Sequence, residues 1–345
     1  MENIGIDVHK RESQLCIITE LGEVVEQRIR TERGRFAEML GGREKAKVLL
    51  EASTESEWVA QCLEELGHEV VVADPNFAPM YGTRTRRVKT DKRDARALAE
   101  ACASGTYRKA HRASEGRRQL KARLSVREAL VRERAKHLVL IGALVRQQGL
   151  RVATGAPEHF LRRLSELKLP TSLATTLVPL KEVLELLNQK IAAADEELAT
   201  LATTDPQVAR LCTVPSVGPV TAAAFVATVD DANRFKGAHQ LEAYLGLVPS
   251  EMSSGEKQRR GHITKTGNPR MRALLVQVAV GMMRLKKMST THLWEWAARL
   301  EARRGKKVAA VALGRKVAGI LFAMMRDETK FEPWQQKEVA QPTAA

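Results

Sequence analysis

The stretch Ile4-Gly5-Ile6-Asp7-Val8 is an apolar run that carries one acidic residue near its end. Its length and composition predict a β-strand with Asp7 close to the carboxyl end. A second apolar run, Lys47-Val48-Leu49-Leu50-Glu51, predicts a buried strand that also ends on an acid. Because ligands bind at the rim formed by the carboxyl ends of strands in an α/β sheet, Asp7 and Glu51 are the first candidate site residues.

Strand-like and helix-like patterns surround these two runs. Further strands are predicted over residues 14–19, 24–30 and 68–73, and amphipathic helices over 33–40, 58–66 and 90–103. Strands that come first and then alternate with helices are typical of an α/β fold with a mixed sheet. We therefore expect an α/β domain over residues 1–110.

The rest of the chain reads as mostly helical. Residues 112–203 are rich in Leu, Arg, Glu, Lys and Ala, and predict two long helices that form an antiparallel pair or an oligomerising coiled coil, with a plain helical linker as the alternative. A tight turn over residues 214–218 resembles a helix-hairpin-helix and precedes a polar loop at 250–268 and helices near 269–287, 290–303 and 307–325. The predicted divisions are 111–204, 205–330 and a flexible tail over 331–345.

Positive charge is concentrated in one part of the sequence. The net charge is +15, and residues 84–136 hold 18 Lys and Arg against 6 Asp and Glu. Such a surplus is the electrostatic signature expected of a partner with a phosphate backbone. The aromatic content of 4% argues against modules that read RNA by base stacking.

Two more acids stand at the start of a predicted helix, in Thr90-Asp91-Lys92-Arg93-Asp94. The three-residue spacing places Asp91 and Asp94 on one helical face. Acids there also complement the helix dipole, which is a purely structural explanation. Together with Asp7 and Glu51, however, they form a set of carboxylates suited to binding Mg²⁺ or Mn²⁺. Pairs of such ions stabilise the attacking and leaving oxygens of a phosphoryl displacement.

Motifs in both halves resemble the insertion-sequence 110 family of transposases, relatives of the Piv-type invertases. The first half carries Gly5-Ile6-Asp7-Val8-His9-Lys10, Leu49-Leu50-Glu51-Ala52 and the basic block that begins at Arg86 and includes Asp91 and Asp94. The second half carries a Gly-Leu-Val-Pro run from Gly246, Ser253-Ser254-Gly255 and the segment 260–268. The resemblance implies a RuvC/RNase H-like N-terminal domain whose tetrad is Asp7, Glu51, Asp91 and Asp94.

The same resemblance implies the other parts of the reaction. Ser254 is the implied nucleophile, with Ser253 as the alternative, and Glu55 or Glu57 is the alternative to Glu51. Basic residues near both sets of motifs are expected to contact nucleic acid; they are Arg84, Arg86, Arg87, Lys89, Lys92, Arg93, Lys257, Arg259, Arg260 and Lys265. The implied partners are donor and target double-stranded DNA, a structured noncoding RNA, and further copies of the chain in a dimer or tetramer.

Two other functions remain open at this level. A hydrolytic junction resolvase would use the carboxylates without the serine, and a nucleic-acid-binding protein without activity would need neither. The four cysteines form no Cys-x-x-Cys pair, so we expect no zinc site and no disulfide framework. No membrane partner is expected because no stretch reaches about 20 apolar residues. The expected location is the bacterial cytoplasm, on the nucleoid when DNA is bound.

Overall fold

The computed structural model describes residues 1–82, 90–251, 260–285 and 292–332. The chain divides into two compact units, Met1–Ala113 and Ser114–Ala345. The first unit contains a five-stranded sheet and helices, whereas the described part of the second is almost entirely helical. The finer division of the second unit at residues 204 and 330 stays a prediction, and the expected tail lies mainly beyond residue 332, outside the described residues.

The sheet of the first unit is mixed, as the sequence predicted. Its order is β3-β2-β1-β4-β5, in which β1 is antiparallel to β2 and parallel to β4. The strands are β1 (Asn3–Val8), β2 (Glu12–Ile18), β3 (Val24–Arg30), β4 (Lys47–Glu51) and β5 (Glu69–Ala73). Each lies within two residues of a predicted strand, because apolar runs bounded by polar turns identify strands well.

Helices cover the two faces of this sheet, and alternation along the strands decides which residues meet them. Ile4 and Ile6 pack on the face covered by α1 (Arg33–Leu40) and α2 (Ser56–Glu65). Leu49 belongs to the core on the other face, which contains residues of α3 (Asp91–Ser104). By the same alternation, Gly5, Asp7 and Glu51 lie on the face covered by α3. This helix and the two strand-end acids therefore share one side of the sheet.

Gly5 allows α3 to lie against β1. A Cβ atom at this position would lie 2.2 Å from the carbonyl oxygen of Ala95 and 2.2 Å from the amide nitrogen of Ala99. Both atoms are backbone, so no side chain can move aside. The glycine in the first motif is therefore a packing requirement that holds the start of α3 near Asp7.

We expect Gly5→Ala to destabilise the protein by about 3 kcal/mol or more, because the new methyl group forces the helix away from the sheet. Gly34→Ala is the matched control, since nothing lies within 4 Å of its Cβ position and its backbone is not left-handed. Denaturant unfolding followed by circular dichroism measures both changes. Equal midpoints for the two variants would contradict this account of the helix–sheet contact.

Two long helices dominate the start of the second unit. Helices α4 (Glu115–Gln147) and α7 (Val178–Thr204) run antiparallel, since early residues of one pair with late residues of the other. The polar pairs along them are Arg117–Asp205, Arg127–Asp195 and Arg134–Asn188. Short helices α5 (Phe160–Ser165) and α6 (Thr171–Thr176) lie between them in sequence and contribute to a small core around Ile141 and Leu184.

The remaining helices form one large apolar core. They are α8 (Pro206–Leu211), α9 (Pro219–Val229), α10 (Ala238–Tyr244), α11 (Pro269–Arg284), α12 (His292–Arg304) and α13 (Lys306–Arg326). The prediction of a polar loop over 250–268 was incomplete: β6 (Pro249–Glu251) and β7 (Arg260–Ile263) pair antiparallel there. Such short polar strands carry no apolar alternation by which to recognise them.

One described helix, α13, is long and apolar enough to cross a membrane by length and composition. The sequence predicted a helix near 307–325 but no apolar stretch of membrane-spanning length, because Arg315 and Lys316 interrupt the apolar residues. Its side chains Leu313, Val317 and Leu321 are fully buried in the large core. A core helix of this kind passes the same length and composition test as a membrane span.

Candidate active site

Asp7 and Glu51 lie next to each other at one end of the sheet. The register pairs Ile6 on β1 with Leu50 on β4, so the acids that follow them occupy adjacent positions on parallel strands. Side chains at adjacent positions of paired strands lie on the same face. The face is that of α3.

The first turn of α3 adds the other two acids. Thr90 caps the helix, and its hydroxyl accepts a hydrogen bond from the Arg93 amide at 3.4 Å. This cap fixes where the helix begins and so where Asp91 and Asp94 lie. Asp94 is buried, with 6% of its surface exposed, whereas the Asp91 side chain is 45% exposed.

His9 and Arg28 complete the surroundings of Asp91. The His9 Nε2 atom lies 3.2 Å from Oδ2 of Asp7 and 3.6 Å from Oδ1 of Asp91. Arg28 on β3 approaches the other oxygen of Asp91 at 3.8 Å and pairs with Glu12 at 2.7 Å. Two strand ends, one turn and one helix start therefore contribute to a single charged site.

Asp7 lies close enough to the other three acids for their charges to act on its carboxyl group. Burial raises the pKa of Asp7 above its usual value, and the nearby His9 opposes that rise. The charges of Asp94, Asp91 and Glu51 each raise the pKa of Asp7 further. A carboxyl group crowded by three other carboxylates is one that a bound cation would stabilise in its charged form.

Glu51 is oriented by Tyr81, whose hydroxyl donates a hydrogen bond to its Oε2 atom. The alternatives Glu55 and Glu57 have other partners. Glu55 accepts a hydrogen bond from the Trp58 indole at 2.6 Å, and Glu57 pairs with Arg112 at 3.0 Å. Of these three glutamates, only Glu51 is among the charges that act on Asp7.

The donor atoms fit a divalent cation. One ligand atom each from Asp7, His9 and Asp91 lies within 4.8 Å of the others. Carboxylate oxygens are the ligands that Mg²⁺ and Mn²⁺ prefer. Mutual repulsion among the acids supplies a reason for a cation to bind, and the half-exposed Asp91 leaves one side of the cluster open to solvent.

Only some of the predicted basic residues, and neither serine, lie within the described residues. Lys92 and Arg93 are exposed beside the acids on α3, and Lys265 is exposed after β7. Arg260 lies on β7, and nothing is described of its side chain. The other candidates lie outside the described residues; they are Arg84, Arg86, Arg87, Lys89, Ser253, Ser254, Lys257 and Arg259.

The hairpin before α9 places Ser216 in a left-handed conformation, with φ of 65°. Its hydroxyl is buried without a hydrogen-bond partner among the described residues, and it faces Gly281 on α11. The side chain therefore points into the protein. This geometry indicates a structural role for Ser216, in a turn that packs α9 against α11.

Neither His9 nor Tyr81 was predicted from the sequence to have a role. A signal for His9 was present, because it follows Asp7 by two residues, and alternation continued one residue past β1 would put both on one face. No sequence pattern indicated a role for Tyr81. It lies in a 3₁₀ turn over Ala78–Tyr81, and only the folded chain brings this turn close to Glu51.

Two family models match the chain. One, described as a transposase and specific to the DEDD domain of the IS110 group, matches residues 4–148. The other, described as transposase IS116/IS110/IS902 family, matches residues 208–293. Together they include the four acids, the serine segment and the paired strands β6 and β7.

Similar full-length proteins agree with these matches. The transposase for insertion sequence element IS1111A of Coxiella burnetii is 32% identical, over 94% of this chain and 90% of its own length. The transposase for insertion sequence element IS1328 of Yersinia enterocolitica is 28% identical, over 95% of this chain and 98% of its own length. The similarity thus extends across both units.

Proposed function

Because the chain belongs to the IS116/IS110/IS902 family of transposases, whose members act on DNA, we propose that it cuts and rejoins DNA strands with a carboxylate-bound metal centre and a serine nucleophile. The observation that supports the proposal is that the charges of Asp94, Asp91 and Glu51 all act on the Asp7 carboxyl at one end of the five-stranded sheet. The family assignment supplies the reaction class.

The four acids have distinct places in this scheme. Asp7 and Glu51 hold fixed positions because their strands are paired, and Asp94 is held by burial against the sheet. Asp91 is half exposed, so in this scheme it is the acid nearest to the incoming DNA. Divalent ions held here would offset the charge that develops on the phosphate oxygens during displacement. Lys92 and Arg93 attract the DNA backbone to the same end of the sheet.

Ser254 supplies the covalent step of the proposal. Its hydroxyl oxygen attacks a DNA phosphorus, a new P–O bond forms, and the P–O bond to one deoxyribose breaks. The departing sugar oxygen gains a proton while the serine loses one. Because the phosphoserine ester keeps the phosphodiester energy, attack by another sugar hydroxyl can rejoin a strand and release the serine.

The proposed partners go beyond the protein itself. We propose a structured noncoding RNA that selects donor and target DNA, and assembly into a dimer or tetramer, as the resemblance implies. The net charge of +15 supports a nucleic-acid partner. The proposed setting is the bacterial cytoplasm, where the nucleoid supplies the DNA.

The direct test is to purify the protein together with any bound RNA and to assay joining of element ends to target DNA with Mg²⁺ or Mn²⁺. The proposed function predicts metal-dependent joining and a protein–DNA adduct. Cutting without joining would instead favour a hydrolytic nuclease. Binding without any metal-dependent cutting would favour a protein that has lost its activity.

We expect Tyr81→Phe to lower the rate of joining about tenfold, because Glu51 loses the hydroxyl that orients it. The metal concentration for half-maximal joining should rise, whereas the thermal midpoint should change little. Tyr107→Phe is a matched control in the same unit, since this phenol contacts Lys47 rather than an acid of the site. Unchanged metal dependence in Tyr81→Phe would contradict the orienting role.

A further inference from the structure

The imidazole of His9 lies where a metal ligand would lie. Its Nε2 atom and the facing oxygens of Asp7 and Asp91 are 3.2 and 3.6 Å apart, and the three ligand atoms lie within 4.8 Å of one another. In an octahedral site with bonds of about 2.1 Å, neighbouring donor atoms are about 3.0 Å apart and opposite ones about 4.2 Å. Small shifts of three side chains would therefore enclose one cation.

The backbone at His9 is held in place. The Thr31 hydroxyl donates a hydrogen bond to the His9 carbonyl at 2.8 Å. The same hydroxyl lies 2.8 Å from the hydroxyl of Ser13, which is fully buried on β2. The turn between β1 and β2 is thus tied to the residue that follows β3, and the ring begins from a fixed position beside Asp7.

Asp91 is oriented so that one oxygen faces His9. Its Oδ2 atom is approached by Arg28 at 3.8 Å, and its Oδ1 atom by His9 at 3.6 Å. Arg28 therefore interacts with the Oδ2 atom of Asp91, and the Oδ1 atom faces His9. A hydrogen bond from His9 to these acids would use the same atoms, so a test must detect a nitrogen–metal bond directly.

We infer that His9 is a ligand of the metal centre, in addition to the carboxylates, and that it gives the centre a preference for Mn²⁺ over Mg²⁺. The inference rests on the proposed function, because it requires a cation at Asp7 and Asp91. Imidazole nitrogen bonds transition-metal ions more favourably than it bonds Mg²⁺, for which oxygen ligands are preferred. An all-carboxylate site would lack this selectivity.

The experiment uses the full chain loaded with Mn²⁺ and measured by electron spin echo envelope modulation, which detects nitrogen bonded to the ion. Wild type should show nitrogen coupling, and His9→Ala and His9→Gln should lose it. His111→Ala is the matched control, because His111 is another exposed histidine of the first unit and should leave the coupling intact. Mn²⁺ affinity should fall about tenfold in both His9 variants, and Mg²⁺ affinity by less than about threefold.

The outcomes distinguish the hypothesis that His9 is a metal ligand from the hypothesis that the carboxylates bind a metal. One outcome is that Asp94→Asn loses Mn²⁺ binding while Mn²⁺ bound to wild type shows no nitrogen coupling. This result would overturn the role of His9 and leave the carboxylate centre intact. Coupling that persists in His9→Ala would overturn it equally. If Asp94→Asn binds Mn²⁺ as wild type does, the metal centre of the proposed function fails as well.

Discussion

Asp94→Asn is expected to reduce DNA joining by about a thousandfold or more, while DNA binding remains. The substitution preserves the shape of the side chain and removes one negative charge from a carboxylate that is only 6% exposed. Electrostatic groups that act on developing charge in a partly dehydrated site contribute effects of about this size when one is removed. Single-turnover joining and filter binding, each with Mn²⁺ and with Mg²⁺, measure the two quantities.

The stability of the same variant distinguishes a functional acid from a structural one. Asp94 is one of three carboxylates whose charge raises the pKa of Asp7, so its removal relieves repulsion in the metal-free protein. The metal-free variant should therefore unfold within about 1 kcal/mol of wild type. Glu100→Gln on the same helix is the control, since Glu100 pairs with Arg96 at 3.2 Å and is not among the charges that act on Asp7.

Two results would contradict this account of Asp94. Joining by Asp94→Asn at a tenth of the wild-type rate or more would remove it from the metal centre. A loss of several kcal/mol in stability together with lost activity would show that its negative charge supports the fold. In that case the chemistry would have to be assigned to other residues.

Ser254→Ala should abolish the covalent protein–DNA adduct and reduce joining to background. The alanine variant keeps the carboxylates, so its metal affinity should equal that of wild type. Denaturing gels after reaction with end-labelled DNA detect the adduct, and protease treatment that restores DNA mobility shows that the link is to protein. A loss of about a thousandfold or more is expected, because without the hydroxyl the reaction has no nucleophile to form the ester.

Ser253→Ala is the matched control for this prediction. It changes the neighbouring residue in the same way and should leave the adduct intact. Loss of the adduct in Ser253→Ala, with retention in Ser254→Ala, would move the nucleophile by one residue. Retention of cutting in both variants would favour the hydrolytic alternative over a serine recombinase.

Elements of the first unit were predicted closely because their apolar patterns are strong. The three central strands, β2, β1 and β4, are buried on both faces, and their apolar runs stand out between polar turns. The start of α3 was equally clear, since Thr90 is a favoured cap and the acids follow it. In the second unit the short helix α10 and the strand pair β6–β7 were not predicted, because too few residues carry their pattern.

Some residues of the family motifs have a packing role that only the tertiary structure reveals. A Cβ atom at Gly246 would lie 2.1 Å from the carbonyl oxygen of Thr266, and one at Gly267 would lie 2.0 Å from that of Tyr244. Both glycines also have positive φ, of 69° and 70°. The segments that flank the serine motif thus pack backbone against backbone, and their glycines are needed whatever the chemistry.

The sequence by itself determined the α/β class, the family and the acids at strand ends and the helix start, because apolar patterns and short motifs depend on neighbouring residues along the chain. Tertiary structure decided that Asp7 and Glu51 lie side by side, that Asp94 is buried, and that His9 and Tyr81 meet these acids. Such relations depend on strand register and helix packing, which join residues tens of positions apart. No local pattern contains that distance information.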